Sequence, residues 1–350
     1  MISLDTKKDI RLLSVDELAI VIQEIGEPKF RAKQIYEWLW QKGVTTFVEM
    51  TNLSKGLRIA LSEKYKINAI STDVVQNSTD GTIKSRFTLH DGYKIESVLI
   101  PVPDDKRYTV CVSTQIGCSL TCKFCATGQM KRERNLDPGE IFDQVKIVNA
   151  QCEAQYGRPL TNIVYMGMGE PLLNYKNTLK SIALISSPEG LGFSPKRITV
   201  STAGIAKMID KMAEEKVKFN LALSLHAATD EKRNKIMPIN EQNNLEILME
   251  SLRRFYQATG TKVSYEYITF KGFNDSIQDA DALARLCKNF PVLVNIIEYN
   301  RIDGVVLEKS PSIDIDAFAK RLREQNIMVT IRRSRGKDID AACGQLANKG

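Results

Sequence analysis

TVCVSTQIGCSLTCKFC, residues 109–125, passes from a β-branched strand pattern into a loop with three cysteines in C-x3-C-x2-C spacing, Cys118, Cys122 and Cys125. The strand is the first of a series. Apolar, β-branched runs recur at NIVYMG (162–167), RITVS (197–201), FNLALSL (219–225), VSYEYIT (263–269), VLVNIIE (292–298) and MVTIRR (328–333). Helical stretches lie between them, the clearest starting at Asp137-Pro138. There Asp137 caps, Pro138 suits the first turn, and Glu140 closes a capping box. Alternation of this kind predicts an α/β fold with a parallel sheet. Six or seven units suit an open, partial βα barrel better than a closed eight-unit one. Functional residues are then expected at the C-terminal ends of the strands.

Upstream, residues 1–90 read as a small helical module leading into a strand pair, and residues 91–350 as the barrel. Ser14 and Glu17 form a capping box for a helix with Leu18, Val21, Ile22 and Ile25 on one face, stopped by Gly26 and Pro28. A second helix, from about Lys29 to Gln41, carries Phe30, Ile35, Trp38 and Leu39. Lys29, Arg31 and Lys33 near its start make either a solvated face, the simpler reading, or a phosphate-contacting patch. SRFTLHDGYKIESVLIPV (85–102) alternates around Asp91-Gly92, a strong hairpin signal.

The chain has 350 residues, enough for one large catalytic domain and a smaller one. Its 49 basic and 42 acidic residues leave a net charge of +7, which suits a polyanionic partner without requiring one. The N-terminal MISLDTKKDIRLLSVDEL lacks the apolar core of a secretion signal. The longest apolar runs, such as VLVNII at 292–297, fall far short of the ~20 residues that cross a bilayer. A cytoplasmic protein with no membrane partner is expected. Seven cysteines in a reducing compartment point to a metal or to redox chemistry where they cluster. Cys152 and Cys287 sit in helical patterns and read as small buried hydrophobes.

Three thiolates within eight residues wrap one iron–sulfur cluster, and no nearby fourth cysteine completes the usual ligand set. One iron is left open. Zinc needs four closed ligands, and the only histidines, His90 and His226, have no C-x2-C partner spacing. At the end of the first strand of a partial βα barrel, this motif resembles that of the radical S-adenosylmethionine (SAM) superfamily. That resemblance implies a [4Fe–4S] cluster on Cys118, Cys122 and Cys125 whose open iron chelates SAM. An electron from the cluster then cleaves the cofactor to a 5′-deoxyadenosyl radical.

Further along, MGMGEPLLN (166–174), STAGI (201–205), SLHA (224–227), IMPIN (236–240) and RGKDIDAACGQL (335–346) together resemble the RlmN family of adenine C2 methyltransferases. The Cfr type, which methylates carbon 8, is the nearest alternative; EPLLN and RGKDIDAAC favour the C2 type. A non-catalytic RNA-binding protein with a structural metal is the rival from another class. The resemblance implies two SAM molecules per turnover, one methylating Cys343 and one generating the radical. It makes Cys111 the thiol that resolves a covalent RNA adduct as a disulfide, and Glu96 the acceptor of the C2 proton. It assigns Gly169, Glu170, Ser201, Ser224, Leu225, His226 and Asn300 to cofactor binding. Its implied partners are 23S rRNA at the peptidyl transferase centre, tRNA at the adenosine 3′ of the anticodon, and a low-potential electron donor such as flavodoxin or ferredoxin. A monomer is expected.

Taken alone, the same residues read more plainly. Cys111 alternates as a buried strand residue, and Glu96 as an outward-facing charge on a strand. Cys343, among Ala341, Ala342 and Gly344, has an accessible thiol whose reactivity is an open question. The glycines of 167–169 permit close backbone approach, but no dinucleotide fingerprint is present.

Overall fold

The computed structural model describes residues 7–348. In chain order it contains β1 (Lys8–Asp9), α1 (Val15–Glu24), α2 (Phe30–Glu37), α3 (Lys55–Lys64), β2 (Tyr65–Lys66), β3 (Ser71–Asn77), β4 (Ile83–Thr88), β5 (Lys94–Val102) and β6 (Arg107–Cys111). There follow α4 (Pro138–Tyr156), β7 (Asn162–Tyr165), α5 (Tyr175–Ser186), β8 (Ile198–Thr202), α6 (Ala206–Glu214), β9 (Asn220–Ser224), α7 (Asp230–Ile236) and α8 (Leu245–Thr259). The chain closes with β10 (Val263–Thr269), α9 (Ile277–Leu286), β11 (Leu293–Glu298), α10 (Ser312–Glu324) and β12 (Met328–Arg332).

Ten strands form one sheet in the order β12-β11-β10-β9-β8-β7-β6-β5-β4-β3. From β6 to β12 every neighbouring pair is parallel, and β5, β4 and β3 continue the sheet antiparallel. The seven expected barrel strands are present, each within about two residues of its apolar run; such runs suit strands covered on both faces, although edge strand β12 is exposed or half-exposed along its length. The sheet has free edges at β3 and β12, so the barrel is open.

The hydrogen-bonded sheet begins at Ser71, inside the 1–90 segment assigned from sequence to the helical module. The hairpin of β4 and β5 turns at Asp91-Gly92, but through a five-residue loop between the paired ends Thr88 and Lys94. Gly92 N–H bonds to Leu89 O (2.9 Å) and Leu89 N–H to Tyr93 O (2.8 Å). The turn therefore spans Leu89 to Gly92, with Gly92 at φ +83°.

α1 and α4 carry the expected capping boxes at Ser14/Glu17 and Asp137/Glu140. The second helix is not regular to Gln41: beyond Glu37 it widens to a π-helical turn over Trp38–Lys42 before Gly43, at φ +62°, stops it. The wide turn carries Trp40 into the core against Phe142 of α4, ring centroids 5.2 Å apart. Beside it one terminal nitrogen of the buried Arg11 donates to both carboxylate oxygens of Asp143 of α4 (3.0 and 2.8 Å), and the other bonds Asn68 O. These contacts join the N-terminal helices to the barrel. Cys152 is buried as expected, whereas Cys287 is only partly so, because α9 ends just before it.

Candidate active site

β6 delivers the chain to the C-terminal edge of the sheet at Cys111. The following residues stay in register with the end of β7, through Val112 N–H to Val164 O (3.0 Å), Gly167 N–H to Val112 O (3.0 Å) and Thr114 N–H to Met168 O (2.8 Å). The cysteine loop then folds on itself, Cys125 N–H to Cys122 O (3.2 Å) and Gly128 N–H to Cys125 O (3.0 Å). Phe124 packs edge-on against His226, 4.6 Å between centroids.

Cys118, Cys122 and Cys125 are all partly buried. Burial raises each thiol, that of Cys118 to about 11, and Cys122 is raised further by the charges of Cys125 and Cys118. Among the described residues no three His, Cys, Asp or Glu side chains converge on a site for one metal ion. The donor set is thus three neighbouring thiols on one loop, which fits the ligation of three separate irons of one cluster and leaves the fourth open.

The C-terminal segment crosses the mouth of the barrel and is held along its length. Asp80 accepts from Gly336 N–H (2.9 Å) and Asp338 from Ser78 Oγ (2.5 Å) and Thr79 N–H (3.1 Å). Gly344 O accepts from Ala126 N–H (2.7 Å), and Leu346 O from Thr127 Oγ1 (2.6 Å). Asn300 Nδ2 reaches Cys343 O (3.4 Å). Cys343 is thereby put beside the cluster loop: burial pushes its thiol up to about 12, followed by the charges of Cys125 and Glu266, with Arg332 opposing. Its side chain is nevertheless exposed to solvent. Cys111 is likewise pushed up to about 12, by burial first and then by Cys343. The two thiols therefore lie within reach of each other's charge although they are 232 residues apart in the chain.

Glu96 overturns the expectation of an outward-facing charge. It is 1% exposed; Oε2 accepts from Ala347 N–H and Asn348 N–H, both at 3.0 Å, and Oε1 lies 3.5 Å from Lys84 Nζ. It grips the C-terminal segment past Cys343.

At the end of β7, Gly169 takes φ +94°, and a Cβ there would stand 2.5 Å from Gln115 Cβ. Glu170 is buried, with Oε1 accepting from Leu172 N–H (3.0 Å) and Oε2 from Ala203 N–H (2.8 Å). Desolvation raises its carboxyl to about 6 against those bonds. Unused lone pairs leave it able to accept from a cationic ligand. Ser201 and Ser224 share a hydrogen bond across the ends of β8 and β9 (3.2 Å). Leu225 is fully buried, and its N–H donates to Glu266 O (3.0 Å). His226 sits at φ +55° and accepts at Nδ1 from Ile268 N–H (3.0 Å), which puts its proton on Nε2. Burial, then the charge of Arg233, lowers it to about 3, so the ring is neutral.

The structure adds three residues that sequence reasoning missed. Glu266 sits mid-strand in β10 and accepts from Ser264 Oγ and Asn295 Nδ2, each at 2.7 Å. Glu298 ends β11 and gathers Arg333 (2.8 Å), Lys337 (3.1 Å) and Lys309 (3.2 Å). An acidic residue inside an otherwise apolar strand was the available signal for both. Arg233, on α7, is buried behind the cysteine loop; it stands three residues ahead of the IMPIN motif but has no local signature.

The radical SAM superfamily model matches residues 112–286, and a ribosomal RNA large subunit methyltransferase N-terminal domain matches residues 9–67. A Cytophaga hutchinsonii protein that bears the RlmN name is 57% identical over 98% of this chain and 93% of its own length. The chain belongs to the RlmN family. A Geobacter sulfurreducens family member, named a dual-specificity RNA methyltransferase RlmN, is 44% identical over 99% of this chain and 94% of its own. A solved radical SAM methyltransferase from Sphaerobacter thermophilus superposes with a TM-score of 0.91, at 39% identity, covering 98% of this chain and all of that one. As a member of the family this chain is a SAM-dependent methyltransferase, with SAM and a [4Fe–4S] cluster as its cofactors. No helix among the described residues is long and apolar enough to cross a membrane.

Proposed function

We propose that this chain methylates carbon 2 of adenosine in 23S rRNA and in tRNA, with Cys343 carrying the methyl group and Cys111 releasing the product. The observation that supports this is the juxtaposition of a solvent-reached Cys343 with both Cys125 of the cluster loop and the buried Cys111. Carbon 2 lies between two ring nitrogens and is too electron-poor to attack a sulfonium. The cluster and SAM, once bound to Cys118, Cys122 and Cys125, supply a radical that makes the Cys343 methyl reactive instead.

The chain's own residues divide the remaining work. Gly169 and Glu170 hold the methionine half of the cofactor, with Ser201, Ser224, the Leu225 backbone, His226 and Asn300 around the rest. Cys343 accepts a methyl on sulfur; the radical would take one hydrogen atom from that methyl, the carbon then bonds to C2 of the adenine, and the surplus electron would return to the cluster as the C2 proton is lost. Glu96 takes the C2 proton, which requires it to exchange its bonds from Ala347 and Asn348. Cys111 then gives up its proton and attacks the Cys343 sulfur as thiolate: an S–S bond forms, the S–C bond breaks, the released carbon takes up a proton to become the methyl group, and methylated RNA leaves.

The helical module over residues 9–67, with Lys29, Arg31 and Lys33, contacts RNA phosphates. The enzyme acts as a monomer in the cytoplasm and is reduced by a low-potential carrier of the flavodoxin or ferredoxin kind. Mass spectrometry of rRNA and tRNA from cells with and without the gene tests the reading: 2-methyladenosine should disappear with the gene. Loss of 8-methyladenosine instead would reassign the carbon.

A further inference from the structure

Arg233 is completely buried, yet among the described residues no carboxylate forms an ion pair with it. Its Nε donates to Leu225 O (3.1 Å), one terminal nitrogen to Asn240 Oδ1 (2.7 Å), and the other to Ala203 O (2.6 Å) and Ser224 O (3.2 Å). All four acceptors are neutral. The charge of Asp230 reaches it, but Asp230 Oδ1 is held by Asn240 Nδ2 (2.8 Å) and Leu245 N–H (2.9 Å) rather than by the guanidinium. A buried cation without a counter-ion is costly, and folds retain one where an anion completes the site.

The cysteine loop packs against the helix that carries Arg233. Lys123 N–H bonds to Ile236 O (3.0 Å), which ties the loop between Cys122 and Phe124 to the last residue of the helix that carries Arg233. Cys122 and Cys125 pack against the cluster of Phe124, Ala203, Ile236 and Met237, so the ligand loop shares one core with the end of that helix and with Ala203, whose carbonyl Arg233 holds.

We propose that Arg233 is the fixed counter-cation of the [4Fe–4S] cluster, a positioning residue whose charge sets the cluster's reduction potential. This rests on the assignment of Cys118, Cys122 and Cys125 as cluster ligands. A core of two positive charges bound by three thiolates is a net anion, and reduction adds a further negative charge. A cation locked nearby in a low-dielectric site therefore favours the reduced form, the state that cleaves the cofactor. The fork onto the strand-end carbonyls of Ala203, Ser224 and Leu225 keeps that cation from moving toward another partner.

The test compares reconstituted wild-type protein with Arg233→Gln and Arg233→Lys. Iron content, the thermal midpoint of each apoprotein, and the cluster's midpoint potential from an EPR-monitored redox titration are measured. Arg233→Gln should keep its iron but titrate at a more negative potential, and Arg233→Lys, which restores the charge without the fork, should return towards wild type. An Arg233→Gln cluster at the wild-type potential overturns the proposal. So does an Arg233→Lys cluster displaced as far as that of Arg233→Gln, which would make the hydrogen bonds rather than the charge responsible. If Arg233→Gln does not fold, Arg233→Met takes its place: a more negative potential supports the proposal and a potential at the wild-type value overturns it. Wild-type protein that binds no iron would instead remove the cluster assignment itself.

Discussion

Cys111 and Cys343 are both protonated at rest, each pushed up to about 12 with burial as the first cause, so acidity does not distinguish them. Access does: Cys111 is 8% exposed within the sheet, and Cys343 is open to solvent. The two substitutions should therefore fail differently. Cys343→Ala should give neither protein nor RNA methylation. Cys111→Ala should arrest as a covalent conjugate, seen on denaturing gels as a nuclease-sensitive slower band that is absent from the double variant; normal turnover would reduce Cys111 to a packing residue. Glu170 supplies a pH test. Burial raises its carboxyl to about 6, so it is charged above that pH and neutral below. A cationic amino group binds only the charged form, so SAM affinity should fall about tenfold per pH unit below about 6. Calorimetry should show that Glu170→Gln flattens this slope.

The cysteine loop and the β7 end loop were legible as elements because their residue types are locally diagnostic: three thiols in close spacing, and glycines ahead of a carboxylate. Gly169 makes the point physically, since φ +94° and a Cβ only 2.5 Å from Gln115 Cβ leave no room for a side chain. Gly169→Ala should strain the loop by about 1–3 kcal/mol and weaken SAM binding while iron content is kept; unchanged binding would show that the loop relaxes freely. Cys122→Ala should by contrast lose iron and form no 5′-deoxyadenosine, because two thiolates do not retain a cluster against chelation. Helix α2 shows where local reading stops. Its pattern is helical through Gln41, and the widening after Glu37 follows from Trp40 packing on Phe142, a residue on another element.

For the whole molecule, the net charge of +7 favours a polyanion, and the N-terminal patch is where the expectation is testable. Arg31 is engaged with Gln34 (2.8 Å), whereas Lys33 is only 3.9 Å from Glu189 in an exposed pair, worth little against a phosphate. Changing Lys29, Arg31 and Lys33 to Glu should weaken RNA binding and flatten its salt dependence by about one unit of slope for each lost phosphate contact. Affinity unchanged across a salt series would remove the patch from the RNA site. The alternation of strands and helices, the open barrel and the thiol triad followed from the sequence by itself, because hydrophobic period and motif spacing act within a few residues. Tertiary structure alone decided that Glu96 turns inward to hold Ala347 and Asn348, 251 and 252 residues away. It alone set Cys343 beside Cys111 and left Arg233 buried without an acid. These pairings arise where the curved sheet brings strand ends and the C-terminal segment to one mouth, and no local spacing encodes a contact made by closing so long a loop.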